Sequence, residues 1–309
     1  MRIVRHASAG GERTVIAIGS FDGVHRGHAA VVERVRDEAR ALGAAAAVLT
    51  FEPLPRELLA PARAPARLTS LAERLVELAR LGVDIAFVER FDARFAALDP
   101  QAFARRLRSR YGARRVLVGE DFRYGAGRAG DAASLALAGR DLGFEVETLA
   151  AVRDGTERIS STRVRAALAA GDFETAARLL GRPYAICGRV VHGAKRGRGL
   201  GFPTANVRLG RERAPLGGIF AVKCHGVATR GLEGVASLGI NPAVQVGGPA
   251  TLEAFLFDFS GDLYGRRISV EFVKKLRDEA HFASPEELAA QIRRDCDEAR
   301  ALFRAQAPR

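Results

Sequence analysis

No stretch of this 309-residue sequence is apolar for the roughly 20 residues that a bilayer-spanning helix needs; runs such as 44–49 are far shorter. The basic N-terminus, Met1 to His6, lacks the apolar core of a signal peptide. Together these absences argue against a membrane partner and for a cytoplasmic, soluble chain. Cysteine is scarce: Cys187, Cys224 and Cys296 lie far apart, without the paired spacing of a metal site, and fit a reducing compartment. Lysine is also scarce for so basic a chain. The net charge is +12, yet only Lys195, Lys223, Lys274 and Lys275 are lysine, and the remaining basic residues are arginine. The basic excess is spread over both halves instead of gathered in one patch, so no nucleic-acid partner is expected. Arginine suits bidentate contacts to phosphorylated ligands. Repeats and low-complexity linkers are also missing.

What is present is globular composition, 48% hydrophobic and 27% charged, in a length that suits two domains. In the first half, short apolar runs (14–18, 44–50, 83–88, 115–118 and 145–149) alternate with helical patterns (27–42, 71–81, 100–111 and 132–142). This alternation predicts βαβ units around a parallel sheet, with ligands gathered beyond the carboxyl ends of the strands. At Gly181-Arg182-Pro183 a helix breaks off and the texture changes. Beyond it, runs at 185–191, 219–225, 235–240, 252–257 and 268–272 are punctuated by Gly and Pro, which predicts a small antiparallel barrel or sandwich. Ser284-Pro285 then opens a terminal helix expected to reach about Phe303. The expected fold is therefore α/β over residues 1–181, followed by a β-barrel domain with a C-terminal helix over residues 182–309.

The densest motif follows the first strand of that pattern: Gly19-Ser20-Phe21-Asp22-Gly23-Val24-His25-Arg26-Gly27-His28. A Gly-containing turn leads into a helix, and His25 and His28 can share one face beside its N-terminus, where backbone N–H groups favour anions. Imidazoles there can stabilise charge growing on a transferring phosphate. At the other end of the domain Ser160-Ser161-Thr162-Arg163-Val164-Arg165 sets hydroxyls and arginines at a helix start, which suits a triphosphate. Taken alone, Ser160 or Ser161 reads equally as a helix cap.

The His-x-Gly-His arrangement resembles the nucleotidyltransferase superfamily. With the segments Thr50 to Pro55 and Val118 to Asp131, taken in order, it resembles the adenylyltransferase half of the bacterial bifunctional riboflavin kinase/FMN adenylyltransferases. The second half makes the resemblance more specific. Gly193 to Asn206, rich in Gly and Arg and ending Gly201-Phe202-Pro203-Thr204-Ala205-Asn206, is similar to the riboflavin-kinase signature. Glycine lets such a flap approach phosphates closely, and Thr204 and Asn206 carry oxygen ligands of the hard type that Mg²⁺ prefers.

The resemblance spans about Ile16 to Arg300, and it implies a Rossmann-like nucleotidyltransferase domain before a barrel kinase domain. It implies phosphorylation of riboflavin to FMN with one ATP, then adenylylation of FMN to FAD with a second. In the first domain it implies Gly19, Ser20, Phe21, Asp22, Ser160, Ser161, Thr162 and Arg165 at ATP phosphates beside His25 and His28, with Asp121 and Phe122 at the flavin. In the second it implies Glu253 as general base, Gly193, Lys195, Arg198 and Gly201 at ATP, and Thr204 and Asn206 at Mg²⁺. Arg277, Glu279 and Phe282 would face the flavin. Leu54 stands where many relatives have His. Ser237 and Ala243 replace a frequent Asn and Thr, and Asp121 is Asn in some members. A chain with only the kinase active, or another adenylyltransferase, stays open at this stage, and so does assembly into a homo-oligomer.

Overall fold

In the computed structural model, described over residues 1–5, 11–193, 199, 201–239 and 250–306 with the backbone of residue 240, the chain divides into two compact units. One is residues 1–65 with 71–160, the other residues 66–70 with 161–309.

The first unit carries β1 (Arg2–Val4), β2 (Thr14–Ile18), α1 (Arg26–Ala41), β3 (Ala45–Glu52), α2 (Pro55–Leu59), α3 (Leu71–Arg80), β4 (Ile85–Arg90), α4 (Ala93–Ala96) and α5 (Pro100–Ser109). It continues through β5 (Ala113–Gly119), the short pair β6 (Arg123–Tyr124) and β7 (Gly130–Asp131), α6 (Ala132–Leu142) and β8 (Glu145–Leu149). A two-residue hairpin of β9 (Arg153–Asp154) and β10 (Glu157–Arg158) closes it. Six strands form one sheet in the order β1-β4-β3-β2-β5-β8, with every pairing parallel.

Alternate residues of a strand point to opposite faces, and both faces of this sheet are covered. Val15 and Ala17 of β2 pack with Val32 and Val35 of α1 and Leu75 and Leu78 of α3. Ile16, one residue out of phase, packs on the other face with Phe103 and Leu107 of α5 and Leu135 of α6. Burial on both faces explains why the sequence shows continuous apolar runs here and no alternation. From β2 the chain steps outward through β3 and β4, then returns to β5 on the other side of β2. In such sheets the point of reversal, here beyond the carboxyl ends of β2 and β5, is the usual ligand position. The histidine motif follows β2 and the Gly119–Asp121 segment follows β5.

The second unit begins with α7 (Ser161–Ala169) and α8 (Phe173–Leu180). Then come β11 (Ala185–Val191), β12 (Thr204–Val207), β13 (Gly218–His225), β14 (Leu232–Ile240), β15 (Ala250–Leu256), β16 (Arg267–Arg277) and α9 (Pro285–Gln306). The six strands close into a barrel in the order β11-β12-β15-β14-β13-β16, and all its pairings are antiparallel. Helix α9 lays Cys296, Ala299 and Phe303 against Ile219, Ala221, Val235 and Phe257. By packing alone the two units part between Ser160 and Ser161. Helix α8 belongs with the barrel because Phe173 is stacked on Phe272 and set edge-on to Phe220, so burying that ring ties the helix to the strands. Residues 66–70 join the same unit: the Leu68 carbonyl accepts from the Tyr184 hydroxyl at 3.1 Å and from Arg211 Nη1 at 2.7 Å. Among the described residues no helix is long and apolar enough to cross a membrane.

Candidate active sites in the two units

In the first unit the turn between β2 and α1 is held in a conformation that side chains seldom adopt. Phe21 and Val24 both have positive φ (49° and 42°) with Gly23 between them. For a β-branched residue such as Val24 this is a strained backbone, of the kind that gathers at functional sites. His25 then caps α1: its Nδ1 accepts from the His28 backbone N–H at 3.3 Å. Because that contact needs Nδ1 as acceptor, neutral His25 carries its proton on Nε2. Gly27 makes room for the ring, since a Cβ there would come within 3.1 Å of His25 Nδ1. The His25 and His28 rings stack with centroids 3.7 Å apart and planes 15° from parallel, and Phe21 lies tilted against His28.

His28 Nδ1 is buried and makes no hydrogen bond among the described residues. Burial first, and then the proximity of His25, Arg74 and Arg158, holds the His28 pKa well below the usual imidazole value. Phe21 and Asp22 are buried, whereas Ser20 is exposed.

Beyond β5, Asp121 receives a two-pronged contact from Arg158, at 2.9 and 3.1 Å. That hydrogen bond holds its carboxyl below the usual range. Phe122 is half-buried and stacks on Tyr124. Ser160 ends this unit, whereas Ser161, Thr162 and Arg165 open α7 of the other. Arg165 Nε donates to the Ala66 carbonyl at 2.6 Å. Leu54 is buried, and its N–H donates to Glu57 at 2.9 Å as α2 begins.

In the second unit the candidate residues converge where β12 and β15 pair. Asn206 lies directly opposite Glu253, and Ser237 of β14 faces Glu253 from the other side. Thr204 Oγ1 donates to Glu253 Oε2 at 3.1 Å. Gly193 sits against Asn206 so closely that a Cβ would overlap its amide. A cavity of about 680 Å³ opens here, lined by Pro203, Thr204, Phe259, Asp262 and Tyr264 among others. The His192 ring lies 3.9 Å from that of Tyr264. Along β15 Leu252, Ala254 and Leu256 are buried, while Glu253 and Phe255 are half-exposed. Phe257 is buried beside Phe255 under α9 and carries the Arg300 guanidinium 4.2 Å over its ring.

Arg277, expected at the flavin, is gripped by Asp295 of α9. Its Nε donates to both carboxylate oxygens (2.9 and 3.1 Å) and Nη2 to one of them (2.8 Å). Phe282 lies under its guanidinium at 5.6 Å. Glu279 packs against Gly239, and burial raises its pKa. Gly201 is exposed, while Lys195, Arg198 and Ala243 lie outside the described residues.

Among the described residues no group of three or more His, Cys, Asp or Glu could hold a metal by itself. The oxygens of Thr204, Asn206 and Glu253 suit Mg²⁺ in the manner of sites that complete their shell with phosphate and water. Two contributors escape the sequence reading. Asp295 sits on a helix that reads as charged surface. Arg74 recurs with Leu71, Leu75 and Leu78 at the i, i+3, i+4, i+7 spacing of a buried helix face, and that spacing is the signal that marks it.

Comparison with known proteins agrees with this layout. The FAD synthetase family matches residues 8–163 and the riboflavin kinase family residues 180–303. A bifunctional riboflavin kinase/FMN adenylyltransferase from Escherichia coli K12 is 48% identical over 297 residues, which covers 94% of this chain and 93% of that protein. The protein of the same description from Pseudomonas fluorescens is 47% identical, covering 93% and 92% of the two chains. A crystal structure described as a macrolide-efflux protein from Streptococcus pneumoniae superposes with a TM-score of 0.77 at 30% identity. It covers 96% of this chain and 97% of its own. With both halves matched in order and nearly the full length of its relatives covered, the chain belongs to the bifunctional riboflavin kinase/FMN adenylyltransferase family.

Proposed function

We propose that this chain makes FAD from riboflavin in two ATP-dependent steps, with phosphorylation assigned to residues 182–309 and adenylylation to residues 1–181. The observation that carries the kinase assignment is the Thr204–Glu253 hydrogen bond, in which Thr204 also lines the barrel cavity. Glu253 accepts the proton of the riboflavin 5′-hydroxyl as its oxygen attacks the γ-phosphorus of ATP. The bond to the β–γ bridging oxygen breaks, giving FMN and ADP. Mg²⁺, held by Thr204 and Asn206, would supply charge neutralisation on the phosphates. Gly193, Lys195, Arg198 and Gly201 are assigned to ATP by the family resemblance, and Phe282 and Glu279 border the isoalloxazine. Arg277, already forked onto Asp295, holds their loop in place. Phosphoryl transfer of this kind depends mainly on such positioning and on charge stabilisation.

In the first unit a phosphate oxygen of FMN attacks the α-phosphorus of a second ATP, and the α–β bridging bond breaks to release pyrophosphate. The FMN phosphate is already ionised near neutral pH, so the histidines act on charge and need not remove a proton. His25 offers Nε2–H from the head of α1, and His28 stacks on it. Gly19, Ser20, Phe21 and Asp22 form the phosphate turn. Ser160 adds a triphosphate contact, with Asp121 and Phe122 on the flavin side, while Ser161, Thr162 and Arg165 stand at the start of α7 in the other unit.

Glu253→Gln separates the two steps. FMN formation from riboflavin should fall about 10²- to 10⁴-fold, the usual worth of general-base catalysis, while FAD formation from added FMN continues. Loss of both activities in a folded variant would contradict separate sites. His28→Ala should do the converse and let FMN accumulate.

A further inference from the structure

Arg74 heads the largest side chains that are wholly shielded from solvent among the described residues. It lies in the first turn of α3 and reaches the carboxyl ends of two adjacent strands. Its Nη1 donates to the Ser20 carbonyl at 2.7 Å, to Thr50 Oγ1 at 3.0 Å and to the Phe51 carbonyl at 3.4 Å, and Nη2 pairs with Glu52 at 3.0 Å. Thr50 Oγ1 donates to the same Ser20 carbonyl at 3.3 Å. A buried ion pair seldom stabilises a fold more than an apolar side chain of similar volume would. Leu71, Leu75 and Leu78 already supply the apolar packing of this helix face. What the charge adds is direction: one planar fork joins the β2 turn to the end of β3. Lysine, with a single ammonium, cannot span those acceptors in the same geometry.

We propose that Arg74 is a positioning residue for adenylyl transfer, clamping the Ser20 carbonyl to the end of β3 and so fixing the turn that carries His25 and His28. This rests on reading the first unit as the adenylylation site. The Arg74 charge also bears on His28, together with those of His25 and Arg158. Removing the fork would let the turn relax, and displacements of about 1 Å can cost on the order of 10²-fold in rate.

The test uses full-length Arg74→Lys and Arg74→Met, with riboflavin phosphorylation as the internal measure of an intact chain. Both variants should phosphorylate riboflavin at the wild-type rate. Their kcat for FAD formation from FMN and ATP should fall at least about 10-fold. By NMR, the His28 imidazole should titrate higher in Arg74→Met than in wild type. A folded Arg74→Lys with wild-type kcat would overturn the clamp, because charge alone would then suffice. An unmoved kcat and an unmoved His28 titration in Arg74→Met would overturn it as well. Should Arg74→Met fail to fold, the Arg74→Lys rate decides. If the wild type itself makes no FAD, the site reading fails, and the His28 titration still decides whether Arg74 acts on the histidine pair.

Discussion

His28 carries the clearest link between one side chain and the stability of the chain. Its pKa is lowered in the folded state, chiefly by burial, so the unfolded chain binds a proton that the native site refuses. Stability from this group is fully present above about pH 6.5, the ordinary imidazole value. It is lost as pH falls from there toward the folded pKa, with a slope approaching about 1.4 kcal/mol per pH unit. Asp121, lowered from an ordinary value of 3.8, contributes its own loss only in a more acidic range. Urea unfolding at pH 7.5, 6.5 and 5.5 should therefore show stability falling with pH, and His28→Asn should flatten the dependence. An equal slope in the variant would mean that His28 is not held neutral.

The elements that form and the residues that pack them explain what the sequence discloses and what it hides. Strands β2, β8 and β11 and helix α6 run over the residues expected, because apolar runs between turn residues are a local signal. Strand β12 is hidden. It spans only Thr204–Val207 behind Pro203, too short for alternation to show, and its residues read as part of a ligand loop. Strand β1 pairs only with β4 at the sheet edge, and nothing within its three residues announces that partner. Arg74 and Asp295 are silent for another reason: each charge is buried by a partner distant in sequence, Glu52 and Arg277 respectively. Helix α8 tests the division of the chain directly. Phe173→Ala, which removes a ring packed on Phe220 and Phe272, should destabilise the barrel unit by about 3–5 kcal/mol. Riboflavin phosphorylation should then be lost at lower temperature than in wild type, with FAD formation from FMN outlasting it. Equal thermal loss of both activities would place α8 with the first unit.

The molecule consists of two units of different architecture, a parallel sheet and a closed barrel, each carrying candidate site residues. In the first, strand order reverses between β2 and β5, and the strained histidine turn follows β2. In the second, barrel closure sets Thr204, Asn206 and Glu253 side by side on neighbouring strands. Motif order along the chain supplies the candidate residues, whereas sheet order, which places them, resides in pairings between distant segments. The central claim is that one chain performs both steps in sequence. The measurement that tests it most directly is a chromatographic time course of the purified protein with riboflavin, Mg²⁺ and excess ATP, following riboflavin, FMN and FAD by fluorescence. FMN should rise first and then decline as FAD accumulates. FMN without FAD would remove adenylylation from the chain and turn attention to Leu54, and the absence of both products would contradict the flavin assignment altogether.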